Sequence, residues 1–123
     1  MDYATTSGFD KDFTRLSKRF RTLEEDFSRL KRFAIELYHA PVPVDNRGIF
    51  KIPGYCGEGH ATFKVKKFAC ASLKNRGAQS GLRVIYVHQS PSNITFVEIY
   101  FKQDKANHDP ERIVSFLKTL KPN

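Results

Sequence analysis

A change of hydrophobic period partway along the chain does most to limit its fold. Over the first 40 residues, Phe9, Phe13, Leu16, Phe20, Leu23, Phe27, Leu30, Ala34 and Leu37 recur every three or four positions, an apolar stripe on a helical surface. Further on, the period falls to two. Phe63-Lys64-Val65-Lys66-Lys67-Phe68, Gly81-Leu82-Arg83-Val84-Ile85-Tyr86-Val87 and Ile94-Thr95-Phe96-Val97-Glu98-Ile99-Tyr100-Phe101-Lys102 read as strands. Helices followed by a run of strands, rather than alternating with them, make an α+β fold in which the helical stripe covers one sheet face.

Finer signals divide these regions. Thr22 with Glu25 three residues on is a capping box, and Asp26 adds negative charge at the same helix end. The stripe is therefore expected to break at Arg21–Thr22 into helices over 10–20 and 23–39, forming a hairpin. Pro41 and Pro43 end the second helix. A short strand is expected over 49–52, closed by Pro53-Gly54, and others over 62–70, 82–89 and 94–102. The adjacent lysines 66 and 67 imply a bulge or strand end there. The 94–102 strand is apolar on both faces in its middle, so it belongs in the interior of the sheet. Asp109 is a natural N-cap and Pro110 a natural first residue for a last helix, with Ile113, Phe116, Leu117 and Leu120 on its apolar face. The expected whole is a single domain over 1–123. A helical hairpin packs on a small, mainly antiparallel, twisted sheet of about four strands, with a C-terminal helix.

Charge then points to a partner. The chain of 123 residues carries a net +8, unevenly spread. Residues 1–40 hold eight Lys/Arg against seven Asp/Glu, whereas residues 60–105 hold eight against two, a local excess of +6. Alternation puts Lys64 and Lys66 on one face of their strand, above Phe63 and Val65. A sheet that buries one face and shows cations on the other is a platform for polyanions, phosphodiester above all. Solvated charge on a small domain is the plain alternative. Two cysteines, Cys56 and Cys70, are too few for a disulfide framework, and with His60 they lack zinc spacing, so no metal site is expected. No apolar run approaches a membrane span or a signal peptide, so a cytoplasmic protein without membrane contact is expected.

The order of elements and several stretches together resemble the RelE/ParE superfamily, the toxins of bacterial and archaeal toxin–antitoxin modules. The matching stretches are Phe9-Asp10-Lys11-Asp12-Phe13 through Leu16-Ser17-Lys18-Arg19-Phe20, then Phe63-Lys64-Val65-Lys66, Ser80-Gly81-Leu82-Arg83-Val84-Ile85-Tyr86 and Glu98-Ile99-Tyr100-Phe101-Lys102. The basic strand followed by a Gly-x-Arg-x-x-Tyr strand is the most specific part. The resemblance implies a RelE/HigB-like mRNA interferase: an endoribonuclease that cuts messenger RNA on the ribosome, uses no cofactor or small-molecule ligand, and is held inactive by a cognate antitoxin protein. By that resemblance Lys64, Lys66 and Arg83 surround the scissile phosphate, Lys102 and Lys105 add cations, and His108 assists proton transfer. Lys67, Lys74 and Arg76 are the further candidates for RNA contact, with Tyr100 a base-stacking candidate. The chain departs from a typical small member in its longer 72–80 loop and in lacking an arginine after Lys102.

The residue types suit the chemistry. Cleaving RNA by its own 2′-hydroxyl needs that group deprotonated, the charge gained at phosphorus offset, and the leaving 5′-oxygen protonated. Clustered cations supply the second need by preorganised electrostatics. Neighbouring lysines also disfavour each other's charged form, which frees an amine to act as base. The expected roles are Lys64 or Lys66 as base, Arg83 as a forked phosphate clamp, and His108 or a lysine as acid. Arg83 pairing across strands with Glu98 is the structural alternative. Two other functions stay open: a ParE-like inhibitor of DNA gyrase, whose members lack the strand cations, and a non-catalytic RNA- or ribosome-binding domain.

Overall fold

The computed structural model describes residues 1–41, 48–73 and 79–120. The chain opens with a strand, β1 (Asp2–Thr5), and then two helices, α1 (Ser7–Arg19) and α2 (Leu23–Leu30). α2 continues through a π-helical turn (Lys31–Ile35) into a last turn, α3 (Glu36–Tyr38). Strands β2 (Ile49–Lys51), β3 (His60–Val65), β4 (Leu82–Gln89) and β5 (Asn93–Phe101) follow, and α4 (Pro110–Lys118) ends the described chain. The sheet has five strands in the order β1-β5-β4-β3-β2, antiparallel except that β1 runs parallel to β5.

Three expectations need correction. The sheet has five strands rather than about four, and one of its pairings is parallel. β1 is too short and mixed to show alternation; its ladder exists only because β5 offers Asn93 to Phe96 as partners. The first helix also starts at Ser7 rather than 10, where the Thr6 hydroxyl accepts from the Phe9 amide at 3.2 Å.

The break between α1 and α2 falls where expected but is held differently. The Thr22 hydroxyl makes no cap; it donates to the Asp26 carboxylate at 2.7 Å. The Thr22 amide bonds Ser72 Oγ at 3.0 Å, and the Ser72 amide returns a bond to Thr22 Oγ1 at 2.9 Å. The Ala71 amide donates to Asp26 at 3.0 Å. The turn is therefore fixed to the segment after β3 and not by its own capping box.

The sheet buries both faces unequally. Phe63, Val65, Val84, Tyr86, Phe96 and Ile99 meet the helical stripe on one face, where Phe27 packs against Phe9, Phe13, Phe68 and Phe96. On the other face Ile85, Val87 and Val97 meet Ile113 of α4. β5 is central to both layers, as its two-sided apolar character requires. Asp109 caps α4 by accepting from the Glu111 amide at 3.0 Å. No described helix is long and apolar enough to cross a membrane.

Gly81 leads into β4 at φ +91°, a conformation that costs an L-residue about 1–2 kcal/mol. A Cβ there would also meet the Phe101 ring at 3.2 Å. Gly81→Ala is thus expected to lower stability by about 1–2 kcal/mol in urea denaturation. A parental midpoint in that variant would show that the turn tolerates a side chain.

The helical face of the sheet also holds a neutral histidine pair. His39 and His88 stack with centroids 4.1 Å apart and planes 1° from parallel, and His39 Nε2 lies 2.8 Å from the Tyr86 hydroxyl. Burial, and then the neighbouring His88, lower the His39 pKa to about 4. Between pH 6.5 and that value the unfolded chain binds a proton that the folded chain refuses. Stability must therefore fall as pH drops through this window. Allowing for the solvent that reaches the ring, the loss is about 1–2 kcal/mol. Urea midpoints at pH 7 and pH 4.5 measure it, and His39→Phe should flatten the slope; an equally acid-sensitive His39→Phe protein would assign the effect elsewhere.

Candidate functional site

Strand register decides which cations meet. Lys64 stands opposite Ile85 on β4, and Arg83 stands opposite Tyr100 on β5. Lys64, Ile85, Arg83 and Tyr100 therefore share the α4 side of the sheet, while Phe63, Val65, Val84 and Ile99 lie in the core below. The segment after β5 returns over this face and brings His108 to Lys64, with 3.4 Å between Nζ and Nδ1. Beneath them the Tyr100 ring lies 5.6 Å from the Lys64 ammonium and 5.8 Å from that of Lys105.

These contacts shape the proton chemistry. Partial burial, then the Arg83 guanidinium, lower the Lys64 pKa, against a smaller opposing pull from Glu98. Burial, then the Lys64 ammonium, hold His108 below the ordinary imidazole value, with Glu98 again opposing. An amine and an imidazole in contact, both with lowered proton affinity, have the make-up of an acid–base pair.

Beside this cluster lies a second group of cations. β3 ends at Val65, short of the expected 70, so Lys66 and Lys67 leave the ladder at the point where the sequence implied a bulge or strand end. Both line an open depression of about 680 Å³ together with Arg83 and Lys102. The Lys66 ammonium sits 5.1 Å from the centre of the exposed Phe50 ring. Arg83 links the two groups, because it borders the depression and acts electrostatically on Lys64 and Tyr100. Among the described residues its guanidinium donates only to the Leu82 carbonyl, at 3.2 Å, and pairs with no carboxylate. The Arg83–Glu98 pair considered from sequence does not form: Glu98 faces Ile85 in register and takes Lys105 instead.

The remaining candidates divide. Lys105 joins the cluster but is engaged by Glu98. Tyr100 is only 3% exposed and carries the two ammonium groups, so it forms the floor of the site and leaves no open face for base stacking. Tyr86 is fully buried on the opposite face, next to His39. Lys74 and Arg76 lie outside the described residues. Cys70 is buried beside Thr22 while Cys56 is exposed on the turn after β2, and among the described residues no group of three or more His, Cys, Asp or Glu gathers. Phe50 escaped the sequence reading, and Glu98 entered it only as a cross-strand partner for Arg83. Glu98 had a visible signal as the lone acid in an apolar strand.

The arrangement thus gathers Arg83, Lys66 and Lys102 around one depression, with an amine and an imidazole in contact beside it at Lys64 and His108. No protein-family model, curated protein or solved structure matches this chain.

Proposed function

We propose that the chain is an endoribonuclease of the RelE-like toxin type, which cuts messenger RNA on the ribosome and is restrained by an acidic antitoxin covering residues 60–105. The observation that carries this reading is the Lys64–His108 contact at 3.4 Å with Arg83 on the same sheet face. Near neutral pH the lowered imidazole is unprotonated and the lysine holds the proton, so one base and one acid stand side by side. His108 takes the proton of the 2′-hydroxyl, and the 2′-oxygen forms its bond to phosphorus. Arg83 and the Lys64 ammonium offset the charge gained on the phosphorane. The bond from phosphorus to the 5′-oxygen breaks, and Lys64 delivers its proton to that oxygen. A 2′,3′-cyclic phosphate and a 5′-hydroxyl result, and proton return from His108 to Lys64 restores the pair. This order reverses the roles expected from sequence, where a lysine was the base.

Incubating the protein with ribosomes programmed with end-labelled message tests the reading. The expected result is discrete cuts ending in cyclic phosphate, abolished by a 2′-deoxy substitution at the scissile nucleotide. Growth arrest on expression without cuts would favour the gyrase reading. Salt-dependent RNA binding without either effect would leave a non-catalytic RNA-binding domain.

A further inference from the structure

Glu98 is an acid buried among cations. Only 2% of it is exposed, and a β-bulge puts it there. Ile85 pairs with Glu98 but Tyr86 pairs with Phe96, which leaves Val97 as the extra residue of β5. Val97 and Glu98 consequently point to the same side, Val97 into the apolar layer under α4 and Glu98 to the Lys105 ammonium. Both carboxylate oxygens are used: Oε2 accepts from the Lys105 ammonium and Oε1 from the Asp109 amide at 2.7 Å.

These two partners bracket His108 in sequence. Lys105 lies three residues before it and Asp109, the cap of α4, directly after it. The segment between β5 and α4 is otherwise exposed from Lys102 to Asn107, and its turn bonds from Asp104 and Lys105 to the Phe101 carbonyl stop short of the imidazole. The His108 backbone also bonds Tyr100, and anchoring the residues on both sides of it to one buried carboxylate further limits where its ring can stand. We propose that Glu98 is a positioning residue: through Lys105 and the Asp109 amide it holds His108 against Lys64 and supplies the field in which the two exchange a proton.

The charged groups around the pair agree with this assignment. Lys64 comes from β3, Arg83 from β4, Tyr100 and Glu98 from β5, and Lys105, His108 and Asp109 from the returning segment. Arg112 of α4 is committed to Asp12 of α1, which also pairs with Arg15. Glu98 is thus the acid that opposes the downward shift of both Lys64 and His108, whereas Asp109 acts on His108 alone. An anchor that acts only by holding the backbone would leave those shifts unchanged.

NMR titration of His108 in the free, full-length protein separates the two roles. Glu98→Gln keeps an oxygen for the Asp109 amide and removes the charge, so the His108 midpoint should move to lower pH. Lys105→Gln, at an ammonium that is 41% exposed, should move it the opposite way. Opposite shifts support the assignment; an unmoved midpoint in either folded variant overturns it, and Lys105→Gln decides alone if Glu98→Gln does not fold. The activity arm rests on the ribonuclease reading: both limbs of the pH–rate profile should move to lower pH in Glu98→Gln, beyond any loss of maximal rate. A wild-type protein that cuts no RNA, with the His108 shifts intact, would defeat the ribonuclease reading and leave the positioning of His108 standing.

Discussion

Arg83→Ala and Lys64→Ala proteins are each expected to lose about three orders of magnitude in RNA cleavage with little change in melting temperature. One preorganised charge on a developing oxyanion is worth about 3–4 kcal/mol, which is that factor in rate. Lys64 should cost at least as much as Arg83, since the proposed mechanism uses it twice, as cation and as proton donor. Stability should hardly change. Among the described residues Arg83 gives one hydrogen bond, to its neighbour's carbonyl, and Lys64 makes one long polar contact, to His108, besides lying over the Tyr100 ring. An exposed or half-exposed cation without a carboxylate partner contributes little to folding. Single-turnover cleavage of labelled RNA beside thermal melts measures both quantities. An Arg83→Ala protein that cleaves at the parental rate would take the guanidinium out of the mechanism.

Asp12→Ala carries the largest expected cost in stability, about 3–4 kcal/mol. Asp12 is 5% exposed, and its carboxylate accepts from both terminal nitrogens of Arg112, at 2.5 and 3.2 Å. It also accepts from the Ile99 amide at 3.4 Å and pairs with Arg15 at 3.6 Å. Truncation strands a half-buried guanidinium and a buried strand amide together, and each loses a partner that water replaces poorly. The same change unties α4 from α1, the only ion pair among the described residues that joins those two helices. Urea denaturation reads the loss. A cost under about 1 kcal/mol would mean that solvent reaches Arg112 well enough to make the pair dispensable.

Much of the architecture was legible because it is written in short-range patterns. The 3.6-residue stripe from Phe9 to Leu37 marked the helical hairpin, and alternation marked β3, β4 and β5. Asp109-Pro110 marked the start of α4 through the local chemistry of a helix end. Local rules failed where a distant partner makes the element. β1 has little alternation of its own and is a strand only because β5 offers it a ladder. The Thr22 capping box lost to Ser72, some 50 residues away, which takes the same hydrogen-bonding groups.

Within the candidate site, residue types were visible but neighbourhoods were not. Cation alternation put Lys64 on an outward face and nominated Arg83, yet no spacing rule places His108 against Lys64 across 44 residues. Tyr100 looked available to a base and is covered by two ammonium groups. Glu98 looked like a cross-strand partner for Arg83. The one-residue bulge at Val97 shifted its register and gave it to Lys105.

Taken alone, the order of residues determined where the helices and the strands β3, β4 and β5 lie and which side of the sheet carries charge, since both follow from periodicity over a few positions. Strand pairing and the return of the chain after β5 decided which ammonium, imidazole and carboxylate share one pocket. Proton affinities depend on burial and on charges a few ångströms away, so those of Lys64 and His108 exist only once the chain has closed on itself.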